Sequence, residues 1–346
     1  MPIGNESEHA DTNMLYTSAV PVDSIKCDEC SKTKVIESMS EKVYGYISQT
    51  VPIHSDKVCV VESFQSDWCN KLAEPMLGLV DVCPINLSNN LNVYLKNLNA
   101  SLPETSIIVG CCMIADIEDK KARRKNKYYK YLKKGKGFYK AETLGRLVYF
   151  GFSIIEFKEI EGLLYFMVMK VKEAPGNLNG CSDKILFPMT RIGKDGKKLI
   201  VYKVRTMHPY SQYLQNYVVR LNGYNEVGKP ANDFRLTPWG KFFRKYWLDE
   251  LPQLLNLLKG ELALVGVRPL SQTRFSELPR EVQELRVQFK PGCIPPYVSL
   301  LMPDSKGNIE AEMIYMDEKR KKGIRTDVKY FFMAIKNILT GKITSS

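Results

Sequence analysis

The sequence predicts an α/β fold in two units. A short α/β module covers residues 51–172, a linker covers 173–183, and an α+β unit covers 184–346. Three observations lead there. Short apolar runs of strand length alternate with helically spaced segments through the first half. The stretch Glu173-Ala-Pro-Gly-Asn-Leu-Asn-Gly180 concentrates turn formers and marks a boundary. Beyond it, apolar runs end in cations, and a carboxylate pair stands at the head of a leucine-rich helical segment.

Residues 1–50 are polar and read as irregular. Val58-Cys-Val-Val61 reads as a strand, and Leu87, Leu91, Tyr94, Leu95 and Leu98 fall at helical spacing. Ile107–Met113 is a buried-strand run. Lys120 to Lys136 carries many Lys and Arg residues and no acid, with Tyr128, Tyr129 and Tyr131 interleaved. Lys140–Tyr149 reads as a helix, and Phe152–Lys158 and Gly162–Lys172 as strands on either side of a Glu-Gly turn. In the second unit, Leu186–Gly196 gives a strand and a turn, and Leu199–Met207 a strand with cations at its end.

The chain has 346 residues, enough for two cores. Its 25% charged and 44% hydrophobic residues are in the ordinary globular range. The net charge of +12 and the isoelectric point near 9.1 favour anionic partners: a nucleotide, nucleic acid or an acidic membrane face. No recognised nucleic-acid-binding module is present, so no nucleic-acid partner is expected. Nine cysteines and a polar, acidic N-terminus suggest a reducing compartment with free thiols. Cys27 and Cys30 form a lone CxxC, which reads as an unliganded surface pair rather than a zinc site. No run approaches the roughly 18–20 apolar residues that cross a bilayer.

The most informative stretch is Arg244-Lys-Tyr-Trp-Leu-Asp-Glu-Leu-Pro-Gln-Leu-Leu-Asn-Leu-Leu-Lys-Gly260. Asp249 and Glu250 open a helix whose first turn suits Pro252, which lacks an N–H, and whose end suits Gly260. Glu261–Pro269 then returns a short strand ending in Arg268-Pro269. A carboxylate that can act as nucleophile or metal ligand would meet free helix N–H groups and several cations here. That is equipment for handling phosphates.

The second unit resembles the bacterial sugar transferase family, the monotopic polyprenyl-phosphate phosphoglycosyltransferases. The resemblance spans roughly residues 184–338. It rests on Arg191-Ile-Gly193, Tyr202-Lys-Val-Arg-Thr-Met207, Arg235 with Thr237, Gly240 and Arg244, Leu248-Asp-Glu-Leu-Pro-Gln-Leu254, and Leu264-Val-Gly with Arg268-Pro269, in that order. It implies that Asp249 attacks the sugar-side phosphate of a UDP-sugar, that UMP leaves, and that a polyprenyl (undecaprenyl) phosphate takes the phosphosugar from the aspartyl intermediate. Glu250 is then the ligand of a Mg²⁺ ion. Lys203, Arg205, Arg235, Arg244 and Arg268 become candidate phosphate ligands, since cations suit phosphate oxygens and Arg can hold them bidentately. Such an enzyme starts a surface glycan on the cytoplasmic face of the bacterial inner membrane.

The chain departs from the family in two places. Relatives usually begin with a long hydrophobic re-entrant helix. Here the 51–172 module stands instead, and its element order resembles a truncated, Rossmann-like methyltransferase without the Gly-rich cofactor turn. A structural or docking role is expected of it. Membrane attachment is then expected from two amphipathic helices. One carries Leu248, Leu251, Leu254, Leu255 and Leu258. The other carries Val328, Phe331, Phe332, Ile335 and Leu339. The basic block 120–136 would add attraction to anionic lipid. The second departure is Cys293–Met302, which replaces the family's Gln-Val-Asn-Gly-Arg region. Glu312 and Tyr315 remain as matches to the acidic and aromatic positions that follow. Two other readings compete: a catalytically silent membrane-associated scaffold, and an S-adenosylmethionine-dependent methyltransferase built on residues 51–172.

Overall fold

The computed structural model describes residues 29–62, 76–131, 137–178, 180, 184–223 and 230–343. The Cys27–Cys30 pair and the end of the basic block, 132–136, lie outside the described side chains.

Two helices, α1 (Glu29–Glu37) and α2 (Glu41–Ser48), open the described chain, where the sequence read as irregular. The reason is short-range. Ser40 caps α2 by accepting from the Val43 N–H, and Val43, Tyr46 and Ile47 make an apolar stripe too brief to register in a polar terminus. Then follow β1 (Val58–Val61), β2 (Gly78–Pro84), α3 (Leu91–Ser101), β3 (Ile107–Cys112), α4 (Lys120–Lys125), the single turn α5 (Tyr129–Tyr131), α6 (Lys140–Tyr149), β4 (Phe152–Ile160) and β5 (Leu163–Lys170). Strand β2 is the one element of the sheet that sequence periodicity did not reveal. Gly78, Asp81 and Pro84 break its apolar run, so it does not stand out as a strand.

The five strands run β1-β2-β3-β5-β4. β1, β2 and β3 are parallel, and β5 is antiparallel to both β3 and β4. One face packs on α3 and α6 through Leu95, Leu98, Leu144, Leu147, Phe152 and Phe166. The other packs on α1 and α2 through Val43, Ile47, Val80, Val109 and Met167. Tyr128, from the basic stretch, belongs to this second face.

The second half begins with the hairpin β6 (Leu186–Ile192) and β7 (Lys198–Val204), turned at Asp195 and Gly196. Next come α7 (Gln215–Asn222), α8 (Pro238–Lys245), α9 (Gln253–Leu258), β8 (Ala263–Val265), α10 (Gln272–Ser276), α11 (Arg280–Arg286), β9 (Gly292–Ile294), α12 (Pro296–Leu300), α13 (Ser305–Lys322) and α14 (Ile324–Leu339). β8 and β9 pair in parallel. Val265, Val267, Tyr315, Met316 and Tyr330 form the core beneath them.

The two halves share a core. Leu214 and Val218, on and just before α7, are buried in the same cluster as Leu144 and Leu147 of the sheet module. The linker lies on that module as well, with Ala174 and Leu178 packed against it and Asn177 accepting from the Tyr149 hydroxyl.

Candidate active site

Asp249 and Glu250 do not lie on the helix the sequence predicted. They sit in a separate 3-10 turn, Leu248–Glu250, and α9 starts only at Gln253, with Pro252 at its N-cap. The break has a local cause. Trp247 adopts a left-handed conformation, φ 60°, immediately before the turn. Such backbone is costly for a bulky residue and persists only where the surroundings impose it. Here Trp247 packs against the cluster of Val298, Ala334 and Ile343.

The result is a buried Asp249, 4% exposed. Its Oδ1 has no hydrogen-bond partner among the described residues. Burial raises the Asp249 pKa above its ordinary value; Lys203 and Arg244 oppose the rise, and Glu250 adds to it. A buried acceptor without a donor costs stability, so this oxygen stands out as reserved for something outside the chain.

Glu250 is held from two sides. Its Oε1 accepts from Lys203 Nζ at 2.5 Å, and its Oε2 accepts from Gln253 Nε2 at 2.8 Å. Gln253 is buried, and its own Oε1 also lacks a donor among the described residues. Three side chains in five positions thus offer two unclaimed oxygens and a carboxylate.

Arg244 reaches the same place from the end of α8. Its Nε donates to the Thr206 hydroxyl at 2.9 Å. Burial lowers its pKa, and the charges of Asp249, Asp233 and Glu250 oppose that. Helix α8 is anchored by Thr237 at its N-cap, which accepts from Gly240 N and donates to the Thr206 carbonyl. Thr237 and Gly240 are therefore helix-entry residues, and they fix where Arg244 emerges.

Arg268 is tied to the site through Tyr297. Its guanidinium lies 5.6 Å from the Tyr297 ring centre, and Tyr297 feels both Arg268 and Glu250 electrostatically. The main chain of Arg268 is clamped: its N–H donates to Glu312 Oε1 at 2.7 Å, and its carbonyl accepts from Arg286 at 2.6 Å. Arg286 and Glu312 are themselves a buried ion pair.

The remaining two candidates are differently employed. Arg235 is 2% exposed and forms a bidentate pair with Asp233, Nε to Oδ1 and Nη2 to Oδ2, both at 2.7 Å. Its Nη1 donates to Gln215. With those donors committed, it braces the loop behind Arg244. Arg205 folds away over Phe187, 4.9 Å from the ring centre, and donates to the Lys184 carbonyl.

Sequence reasoning missed Gln253, Asn256, Thr206 and Tyr297. A signal existed for the first two. On α9 the polar Gln253 and Asn256 are buried, while Leu254, Leu255 and Leu258 are 48, 47 and 84% exposed. Asn256 donates to the Ile200 carbonyl and Glu261 and accepts from Tyr202 N, tying α9 to β7. The helix is inverted relative to an ordinary surface helix, so its polar stripe marks the inward side.

The profile of the bacterial sugar transferase family matches residues 163–341, just over half of the chain. The chain belongs to that family. Its match starts within β5, ahead of the linker. Among curated relatives of this sugar transferase, the galactosyl transferase CpsE of Streptococcus agalactiae is 30% identical over 161 residues, 45% of this chain and 35% of the relative. The UDP-galactose-lipid carrier transferase of Erwinia amylovora is 36% identical over 137 residues, 38% of this chain and 26% of the relative. The undecaprenyl-phosphate galactose phosphotransferase of Salmonella typhimurium is 44% identical over 85 residues, 23% of this chain and 18% of the relative. In each case the shared stretch spans well under half of the relative's length. A 16S rRNA methyltransferase structure from T. Thermophilus overlays at a TM-score of 0.19 with 12% identity, covering 56% of this chain and 48% of that one, which carries no argument for the sheet module.

Proposed function

We propose that this sugar transferase moves a phosphosugar from a UDP-sugar to a polyprenyl phosphate, with Asp249 as nucleophile. The observation that carries the reading is the unpartnered, buried Oδ1 of Asp249, flanked by Lys203 and Arg244. The names of the relatives, which speak of UDP-galactose, a lipid carrier and undecaprenyl phosphate, agree with it.

In the first step an Asp249 oxygen forms a bond to the sugar-side phosphorus, and the bond from that phosphorus to the bridging oxygen breaks. The electron pair leaves with UMP. In the second step an oxygen of the polyprenyl phosphate bonds to the same phosphorus, and the acyl-phosphate bond breaks, returning the Asp249 carboxylate. No proton needs to move to the carboxylate in either step. Arg244 and Arg268 hold the phosphate oxygens, and Lys203 favours the ionised form of Asp249.

The donor set fits Mg²⁺. Glu250, with the free oxygen of Gln253 beside it, suits a hard cation that keeps several waters and takes its other ligands from substrate phosphates. Such an ion neutralises charge that develops on a transferring phosphoryl group.

Lipid attachment follows from the outward faces. Leu251, Leu254, Leu255 and Leu258 on and before α9 are exposed, as are Val328, Phe332, Ile335 and Leu339 on α14. Trp239, Phe242 and Tyr246 add aromatic rings along α8. None of the described helices is long and apolar enough to cross a membrane, so these faces lie in the interface plane in this reading. The basic stretch 120–131, anchored on the sheet face that carries α2 through Tyr128, adds attraction to anionic lipid in this reading.

The test is UMP release from a panel of UDP-sugars supplied with undecaprenyl phosphate and Mg²⁺, with a known family member as control. Release from none of them, while the control turns over, rejects the reading.

A further inference from the structure

The sheet module lies outside most of the family match, yet it touches the loop that holds Arg244. The contact centres on Tyr210. This residue is 2% exposed and sits in a left-handed conformation, φ 60°. A bulky side chain stays there only under external constraint. The constraint comes from α6 and α3 of the module. Gly145 lies directly beneath: a Cβ there would come within 2.4 Å of the Tyr210 carbonyl oxygen, so only glycine allows this approach. Arg146 stacks over the ring at 4.4 Å, and its Nη1 is fixed by Asn92 at 2.5 Å. The same Asn92 donates to the Tyr210 hydroxyl at 3.1 Å.

Two residues earlier, His208 is 5% exposed and stacks on Tyr139 at the start of α6, ring centres 4.1 Å apart. Its backbone N–H donates to the Arg235 carbonyl. Two residues earlier again is Thr206. Its carbonyl accepts from Thr237 at the head of α8, and its hydroxyl accepts from Arg244. A continuous route thus runs from α6 through Tyr210 and His208 to Thr206, and from there to a guanidinium that bears on Asp249.

We propose that the N-terminal module is a positioning element of the active site: helix α6 grips Tyr210 and His208, and so fixes the Thr206 hydroxyl that aims Arg244. The proposal rests on reading Arg244 as a phosphate ligand. It gives residues 51–172 a role that requires no ligand of their own.

The experiment uses the full chain and two kinds of variant. Gly145→Ala pushes a methyl group into the Tyr210 carbonyl. Tyr139→Ala removes the stack on His208 from a position that is 39% exposed, and Tyr139→Phe keeps the ring. Misplacement of a catalytic group by about 1 Å can cost on the order of a hundredfold. Gly145→Ala and Tyr139→Ala are each expected to lower kcat for UMP release by roughly ten- to a hundredfold, with Tyr139→Phe close to the parent. If Gly145→Ala does not fold, the Tyr139 pair decides. In an Arg244→Lys background, which lacks the Nε–H that Thr206 receives, Tyr139→Ala should cost under about twofold, because the two act through one contact. Parental turnover in folded Tyr139→Ala, or an undiminished loss in the Arg244→Lys background, overturns the positioning role. Parental turnover in Arg244→Ala overturns the phosphate reading itself, and the proposal falls with it.

Discussion

Lys203 and Glu250 are joined across two elements, the end of β7 and the 3-10 turn, with Nζ 2.5 Å from Oε1. The pair is partly buried, at 27 and 19% side-chain exposure. Lys203 is also the strongest of the influences that hold the Asp249 pKa down. One cation therefore serves both carboxylates, and its removal should be felt at Asp249 through pH. As the proposed nucleophile Asp249 would act in its ionised form, so turnover should fall on the acid side with a midpoint above the ordinary value of 3.8. In Lys203→Met that acid limb should move to higher pH, since a cation that favours the carboxylate is gone. A pH–rate profile of UMP release checks it. An unmoved or downward-shifted limb contradicts the arrangement.

Asp249→Asn should abolish turnover and leave the fold as stable as the parent or more so. The sign follows from the raised pKa. A carboxyl whose folded pKa exceeds its unfolded value favours the folded state most below the unfolded pKa. That contribution is lost as pH rises through the folded pKa. At neutral pH the buried carboxylate is a cost, and the amide relieves it. Thermal melts of the two proteins at neutral pH, alongside UMP release, test both halves. A large drop in Tm for Asp249→Asn would mean that the carboxylate is structural.

Much of this was legible in the sequence, and the limits of legibility were physical. Between Val58 and Lys170 the strands came through as apolar runs and α3 and α6 as helical segments, except β2, whose run is broken by Gly78, Asp81 and Pro84, and the basic α4 and α5, which carry no apolar stripe. The pairing of Asp249 with cations was visible too. What stayed hidden was which cations. Lys203, Arg205, Arg235, Arg244 and Arg268 look alike in a string, yet Arg235 is bound to Asp233 two residues away and Arg205 lies on Phe187. The turn that lifts Asp249 off α9 was also hidden, because it depends on packing around Trp247 rather than on local propensity.

The outward leucines of α9 give a prediction about lipid. Leu254→Glu with Leu258→Glu should weaken binding to vesicles containing anionic lipid by roughly tenfold or more per residue, from about 1.5–3 kcal/mol for each fully buried leucine side chain. The fold should be unaffected, because neither residue contributes to a core cluster. Vesicle flotation measures the first and thermal unfolding the second. Unchanged flotation of the double variant would assign membrane contact to another surface.

Asn256 supplies the opposite case, a polar residue on which the architecture depends. It is fully buried, and its amide serves Ile200, Tyr202 and Glu261 at once, locking α9 to β7 and so Glu250 to Lys203. Asn256→Leu would satisfy a simple hydrophobic reading of that helix. It should instead destabilise the protein by about 1–3 kcal/mol for each backbone group left without a partner, and lower turnover as Lys203 and Glu250 drift apart. Asn256→Asp keeps acceptors for Tyr202 N but cannot donate to the Ile200 carbonyl, and it sets an anion against Glu261, so it should be no better. Equilibrium unfolding in denaturant, compared with UMP release, separates the two effects. A stable, fully active Asn256→Leu protein would show that α9 is held in place by its leucines after all.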